Sequence, residues 1–407
     1  MAPKTYDPNS ENEQAPPLPL APTVSLTSNI VIQPPLTRRG SGPGIIFFLP
    51  DSSQVKTNSG PRPLDPEPVQ KWAEEGFAVA GVTSNTDGGQ EFFASTLKQC
   101  TEGLLNLAEL DTKDKFAVIV YGGKPALFDA LARSEGLSIA CLICYGVLPG
   151  DSLVSSQLPT LLHLTEKFDP PTNTTVHTYA VRSQYFVLPQ STGYDPGNAS
   201  LAHSRSLSFL RKWLGGPLFD LESIWDEHCY YEFEVRSVAK TMATMVQEPY
   251  VNHIPTMTGG IGRVALTAFY RDHFIFSNPD DASLQVISRT VGADRIVDEF
   301  IYHTTHHRTI DWLMPGVPPT GKKLSIPMIA VVNVRGDRLY NEHIWWDQAT
   351  ALSQAGVLPT HVPYSGSDGL SGTLRLPVAG VECAHMLMDE ANGESNEMMG
   401  EEWGVHI

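Results

Sequence analysis

The feature that most constrains this fold is a change of hydrophobic rhythm near residue 216. Between residues 40 and 215, near-continuous apolar runs of strand length recur. GIIFFLP (44–50), FAVAGVT (77–83), FAVIV (116–120), SIACLICYG (138–146), TLLHLTE (160–166) and HTYAV (177–181) predict strands. Between them, residues 68–76, 96–110, 125–134 and 202–214 have helical spacing. The last stretch carries Leu207, Leu210, Trp213 and Leu214 on one side and ends at Gly215-Gly216. Strands apolar on both faces that alternate with helices belong in a parallel sheet covered on both sides. After residue 217 the rhythm changes. A helical stretch over 221–245 comes first, then long strand patterns, with VNVRGDRLYNE reading as a hairpin around Gly336-Asp337. Helices followed by a curved antiparallel sheet predict an α+β cone.

Four segments follow: an extended or disordered arm (1–22), an α/β domain (23–216), the α+β domain (217–358) and an irregular C-terminal tail (359–407). Of 407 residues, 41% are hydrophobic and 18% charged, which suits a globular chain. No apolar run reaches the roughly 18 residues of a membrane span. The Pro-rich start lacks the basic-then-apolar pattern of a secretory leader, and a cytoplasmic location is expected. A formal net charge of −17 argues against nucleic acid or anionic membrane as partner. The five cysteines are scattered and odd in number, as for reduced thiols. Cys141 and Cys144 form a C-x-x-C inside an apolar strand, where a buried structural role is expected.

FAVIVYGGKPALFDAL (116–131) reads as strand, tight turn and helix. This is the outline of a nucleophile elbow, but it holds neither Ser nor Cys. Together with KWAEEGFAVAGV, the Tyr145-Gly146 strand end and YDPGNASLAHSRSLSFLRKWL, it resembles the dienelactone hydrolase branch of the α/β-hydrolases. That family's elbow is Gly-Tyr-Cys-x-Gly-Gly. On this chain Tyr121 keeps the tyrosine, the cysteine position falls on Gly122, the histidine position falls on Gln184, and Asp169 stands near the acid. The resemblance therefore implies a hydrolase-shaped domain without its nucleophile and base. Gly150-Asp151-Ser152-Leu153 spells a lipase tetrapeptide, but in the wrong part of the domain.

Residues 217–358 resemble the SnoaL-like polyketide cyclases, which have the NTF2-like cone fold. PYVNHIPTMTGGIG, FYRDHF, GADRIVDE, PPTGKKLSIP and RGDRLYNEHIWWDQATALSQAG carry the likeness. In EHIWWD, alternation sets His343, Trp345 and Asp347 on one face and Ile344 and Trp346 on the other. If the first set faces the cavity, Asp347 sits beside an indole, and desolvation makes it a usable acid/base. The resemblance implies the same role for Asp347, with helix capping as the alternative. It also implies His306 as partner and His253 as a pocket residue, so the catalytic candidates are Asp347, His306 and His253. Tyr250, Tyr270, His303, Trp345 and His343 are the candidate substrate contacts. Strand geometry splits His303, His306 and His307 between faces, so no metal site is predicted. Without a dinucleotide fingerprint or phosphate loop, no cofactor is implied.

The expected function is cofactor-independent acid/base chemistry of the cyclase, isomerase or hydratase/dehydratase type. Its substrate would be a small oxygenated hydrophobic molecule, polyketide-derived by resemblance. A dienelactone hydrolase-like esterase and a non-catalytic binding or assembly protein remain alternatives, and a homodimer is left open.

Overall fold

The computed structural model describes all residues except 1–4, 52, 84–87, 124, 134–135, 150–156, 170–172, 368, 370 and 407. The tetrapeptide Gly150–Leu153 falls outside the described residues. The chain divides into two compact units. One comprises Leu18–Asp220 with Arg335–Arg338, and the other Met1–Pro17, Leu221–Val334 and Leu339–Ile407.

In the first unit, eight strands form one sheet: β1 (Val24–Ser25), β2 (Ile30–Gln33), β3 (Gly42–Leu49), β4 (Ala78–Thr83), β5 (Leu110–Tyr121), β6 (Ile139–Tyr145), β7 (Thr160–Leu164) and β8 (Thr174–Thr178). Their order is β1-β2-β4-β3-β5-β6-β7-β8. The strands from β4 to β8 in that order run parallel, while β1 and β2 are antiparallel additions at one edge. The edge pair β1–β2 was not read in advance: β1 is two residues long and β2, IVIQ, only four. Among the described residues, four helices flank the sheet: α1 (Pro68–Glu74), α2 (Gln90–Leu105), α3 (Pro125–Ala132) and α4 (Pro196–Leu214).

The period-2 alternation of the strands builds two cores. Ile46, Phe48, Val118, Val120, Leu142 and Cys144 pack with α2 and α3. Ile45, Phe47, Ala117, Ile119, Cys141 and Ile143 pack with α1 and α4. The C-x-x-C is thus divided between opposite faces of the sheet, and both thiols are free and buried. On the α4 side a row of rings crosses the strand ends. Tyr121 stacks on Tyr145 at 4.8 Å, and Tyr145 on His163 at 4.7 Å.

The unit also buries a charged network. Arg335 reaches Asp65 at 2.8 Å and Glu74 at 2.9 Å, and Lys71 reaches Asp65 at 2.6 Å. Beside it, His203 meets Glu75 at 2.7 Å, and Glu75 also accepts the Gly336 amide at 3.1 Å. Gly336 has φ +61°, and a Cβ there would lie 2.1 Å from the Glu74 carbonyl oxygen, so only glycine fits.

In the second unit, β9 (Met245–His253), β10 (Thr258–Ile261), β11 (Ser283–Val291), β12 (Arg295–Thr305), β13 (Lys323–Arg335) and β14 (Arg338–Trp346) form a six-stranded sheet ordered β10-β9-β14-β13-β12-β11. The expected sheet was wholly antiparallel, but β14 pairs parallel with β9. The single long helix expected over 221–245 is broken. Helix α5 (Leu221–Cys229) widens into a π-helical segment, Tyr230–Val235. Arg236 then turns left-handed at φ 58°, held by its guanidinium on the carbonyls of Phe233, Asn278 and Pro279. Ser237 caps the next helix, α6 (Val238–Ala243). A run of aromatic and β-branched residues, poor in helix propensity, lies at the break.

Helix α7 (Arg263–Phe269) also passes into a π segment, Tyr270–Phe274. Helix α8 (Gln348–Gln354) follows β14. The stretch 359–407, expected to be irregular, carries a three-stranded sheet of β15 (His361–Ser365), β16 (Ser371–Arg375) and β17 (Gly404–His406), and helix α9 (Glu382–Met388). Its short Gly- and Ser-rich strands give little periodicity to read.

Two outcomes follow from the buried network. Arg335→Ala leaves Asp65 and Glu74 short of their partner, and should cost about 3–5 kcal/mol in denaturant unfolding. Burial alone would raise the Asp65 pKa, but Lys71 and Arg335 outweigh it and lower it from 3.8 to about 2. A depressed carboxyl stabilises above its unfolded pKa. That stabilisation should be present above about pH 4 and fade as pH falls toward 2, and Asp65→Asn should flatten this part of the stability–pH curve.

Candidate functional site

The turn after β5, expected to resemble a nucleophile elbow, carries a left-handed glycine and no nucleophile. Gly122, after β5, has φ +64°, and a Cβ there would lie 2.7 Å from a ring carbon of Tyr185 and 2.9 Å from its hydroxyl. A phenol thus occupies the space of a nucleophile's side chain. Gln184 packs over Gly146 at the next strand end, and Asp169 is exposed. A Ser–His hydrogen bond does occur nearby, between Ser206 Oγ on α4 and His163 Nε2 at 2.8 Å. Both residues are fully buried, Ser206 Oγ also contacts the Tyr145 hydroxyl at 2.7 Å, and His163 Nδ1 contacts that of Tyr179 at 2.7 Å. Burial holds the His163 pKa well below the usual imidazole range. This is a saturated polar row in the core, closed to a substrate.

The titratable groups of the second unit's interior lie elsewhere. His228 on α5 places Nε2 3.1 Å from Glu232 Oε1 and 3.1 Å from Glu342 Oε1. The Tyr270 hydroxyl stands 3.3 Å from the same nitrogen and 3.5 Å from Glu342 Oε1. All four side chains are buried. His228 and Glu232 are four residues apart, Glu232 and Tyr270 lie in the two π-helical segments, and Glu342 is on β14. Widened turns of this kind re-aim side chains and recur at functional sites. Burial alone would lower the His228 pKa, but the two glutamates outweigh it and raise it to about 10. The Glu232 carboxyl is pushed up by burial, against the opposing pull of His228. The Trp225 indole stacks on His228, with centroids 5.7 Å apart.

A second histidine sits among rings. The His253 centroid lies 5.0 Å from Trp312, 5.5 Å from Phe274, 5.6 Å from Phe269 and 5.9 Å from Trp346. Nδ1 contacts Thr258 Oγ1 at 3.2 Å, and that hydroxyl reaches the Trp312 carbonyl at 3.1 Å. Thr258 Oγ1 also contacts Thr256 Oγ1 at 3.0 Å, and Thr256 donates to the same carbonyl at 2.9 Å. In the tautomer where the Thr258 hydrogen goes to the carbonyl, Nδ1 carries the imidazole proton and Nε2 presents a lone pair. Among the described residues no partner reaches Nε2. Burial lowers the His253 pKa to about 3, so the ring is neutral at ordinary pH.

The residues expected to work together are divided. The alternation read in EHIWWD is present, but its buried set is Glu342, Ile344 and Trp346, while Asp347 and Trp345 are exposed. Asp347 caps α8, accepting from the Ala349 amide at 3.0 Å and the Thr350 hydroxyl at 2.8 Å. The expected placement beside an indole within the interior is therefore corrected, because the strand ends at Trp346 and the next residue must start the helix. His306 is inside and buried. Its Nδ1 contacts Thr320 Oγ1 at 3.1 Å and its Nε2 has no partner among the described residues. No contact recorded among those residues joins it to Asp347 or His253.

Of the expected substrate contacts, Tyr270 is inside. Tyr250, His303, His343 and Trp345 are partly exposed, with Tyr250, His343 and Trp345 forming one run of ring contacts. His303 is engaged by Ser325 and Gln285. Trp345 and Asp347 do share a groove of about 510 Å³ with Met328, Ile329, Cys383 and Leu387.

Sequence reasoning missed His228 and Glu232 as site residues. The only signal was the i,i+4 pair in HCYYE, on a stretch read simply as helical. Glu342 opens the EHIWWD stretch, and by alternation it shares the face of Ile344 and Trp346, opposite the candidates His343, Trp345 and Asp347.

No family model matches the chain, and no curated protein matches it. Solved structures are similar over about a third of it. TsrD from Streptomyces laurentii is 15% identical, with 35% of this chain and 100% of that chain covered at TM-score 0.29. A protein described as a SnoaL-like polyketide cyclase from Jannaschia sp. CCS1 is 16% identical, covering 35% and 99% at TM-score 0.28. A protein of ketosteroid isomerase-like fold from Catenulispora acidiphila is 11% identical, covering 33% and 93% at TM-score 0.27. Likenesses at these scores carry no argument about this chain's chemistry.

Capping and catalysis by Asp347 separate cleanly. Asp347→Ala should lower stability by about 0.5–2 kcal/mol, and Asp347→Ser should recover most of it, since either side chain can cap. Thermal unfolding of the two variants checks this.

Proposed function

We propose that the second unit moves protons on a small, flat, oxygenated hydrophobic molecule, in a reaction of the cyclase, isomerase or hydratase/dehydratase type. The observation that supports this most is the bare His253 Nε2 inside a box of four aromatic rings. A buried polar atom left without a hydrogen bond costs about 1–3 kcal/mol. A substrate hydroxyl or enol that donates to it recovers that cost. The rings pack directly on the imidazole, so the substrate enters by parting them, after which they offer it apolar faces and exclusion of water strengthens each charge interaction inside.

Neutral His253 first orients the substrate's hydrogen as an acceptor. It then takes the proton as negative charge develops on the substrate beside it, because an imidazolium next to an anion is stabilised where an isolated one is not. Such chemistry uses only side-chain acids and bases. A polyketide-derived substrate would suit the box, being flat and rich in oxygen.

A second reading rests on the groove of about 510 Å³ at Trp345 and Asp347. Its volume is in the range of small-ligand pockets, and an apolar molecule held there would make the unit a binding module. An esterase in the first unit draws no support from Gly122, whose side-chain space belongs to Tyr185.

The test is exchange of α-protons for deuterium in a panel of planar cyclic ketones and enols, followed by NMR. Wild-type protein should accelerate exchange for some members, and His253→Phe, which keeps the ring packing, should lose about 100-fold or more. Exchange by His253→Phe at the wild-type rate would refute the assignment. Ligand binding abolished by Trp345→Ala but untouched in His253→Phe would favour the groove.

A further inference from the structure

We infer that His228, Glu232 and Glu342 form a binding site for one divalent first-row transition-metal cation, with the Tyr270 hydroxyl within reach as a fourth donor. The three donor atoms lie within 4.8 Å of one another. Ligands about 2.1 Å from a shared cation stand roughly 3.0 Å apart in octahedral cis positions and roughly 3.4 Å apart in a tetrahedron. The observed spacings are 3.1 and 3.1 Å from Nε2 to the two carboxylates, and 3.3 and 3.5 Å from the Tyr270 hydroxyl to Nε2 and Glu342. These four separations are the ones a cation would set, and the two carboxylates lie within 4.8 Å of each other.

A separate observation concerns the other side of the imidazole. His228 Nδ1 lies 2.6 Å from Thr244 Oγ1, and that hydroxyl gives its single hydrogen to the Thr241 carbonyl at 2.7 Å. Thr244 can then only accept, so Nδ1 carries a proton and Nε2 is the nitrogen aimed at the carboxylates. Metal-binding histidines are held in this way, donating their second nitrogen to a fixed acceptor.

Charge points the same way. The site offers two carboxylates, and buried carboxylates call for a close counter-charge. A divalent cation with a neutral imidazole closes the sum to zero. On binding, one proton leaves Nε2 and the cation takes its place. One nitrogen and two or three oxygens suit zinc or manganese better than magnesium, which avoids imidazole.

The inference goes beyond the proton-transfer reading and stands without it. Protein stripped with a chelator is dialysed against Zn²⁺, Mn²⁺ or Mg²⁺ and assayed for bound metal and for thermal unfolding. One Zn²⁺ or Mn²⁺ per chain is expected, with a rise in Tm of at least about 5 °C at saturating metal and release of protons on binding. Magnesium should do neither. Glu342→Gln should lose the stoichiometric binding. If that variant fails to fold, Co²⁺ added to the wild-type chain should give the visible absorption of a nitrogen- and oxygen-ligated ion. Less than about a tenth of an equivalent of Zn²⁺ and of Mn²⁺ on wild-type protein, with no change in Tm, would overturn the site. Loss of exchange activity in His253→Phe would leave these results unchanged.

Discussion

The second unit is organised around one imidazole set between two carboxylates. His228 is fully buried, and so are Glu232 and Glu342. Burial disfavours the charged form of both glutamates, and the imidazole between them supplies a counter-charge at close range. The backbone conforms to this demand. Helix α5 widens into a π segment where Glu232 must turn inward, α7 does the same at Tyr270, and β14 presents Glu342 on its buried face. The tertiary environment thus sets the local geometry.

A few residues away the solution is opposite. No carboxylate among the described residues bears on His253, and burial among four aromatic rings holds it neutral. The two environments drive two identical side chains apart, one held charged and the other held neutral. Groups separated in this way are the raw material of acid/base chemistry. The first unit shows the contrary case. Its strand–turn–helix bend has the positive φ of an elbow at Gly122, but the surrounding polar groups are mutually satisfied, through the hydroxyls of Tyr145, Tyr179 and Ser206 around His163.

Much of the fold was legible because burial writes itself as period. The six apolar runs of the first half correspond to strands, with HTYAV displaced to Thr174–Thr178, and the break of rhythm after Gly216 falls beside the Asp220–Leu221 division of the chain. The Gly336-Asp337 turn was legible because its glycine is obligatory. What could not be read was which face of a strand looks inward. EHIWWD alternates either way, and only the partners of β14 decide that Glu342, rather than Asp347, is buried. The π segments were equally hidden, since no sequence pattern separates a widened turn from an ordinary one. The site was therefore half visible: His253 and Tyr270 were singled out and lie inside, whereas His228 and Glu232 carried no signal beyond their spacing.

The most direct test is the protonation state of the two histidines, read by ¹⁵N NMR on chelator-treated protein at pH 7. The account predicts His228 as imidazolium, protonated on both nitrogens. It predicts His253 as a neutral ring protonated on Nδ1, with no titration down to about pH 4. A neutral His228 at pH 7, or a His253 that titrates near 6.5 like a histidine in water, would contradict it.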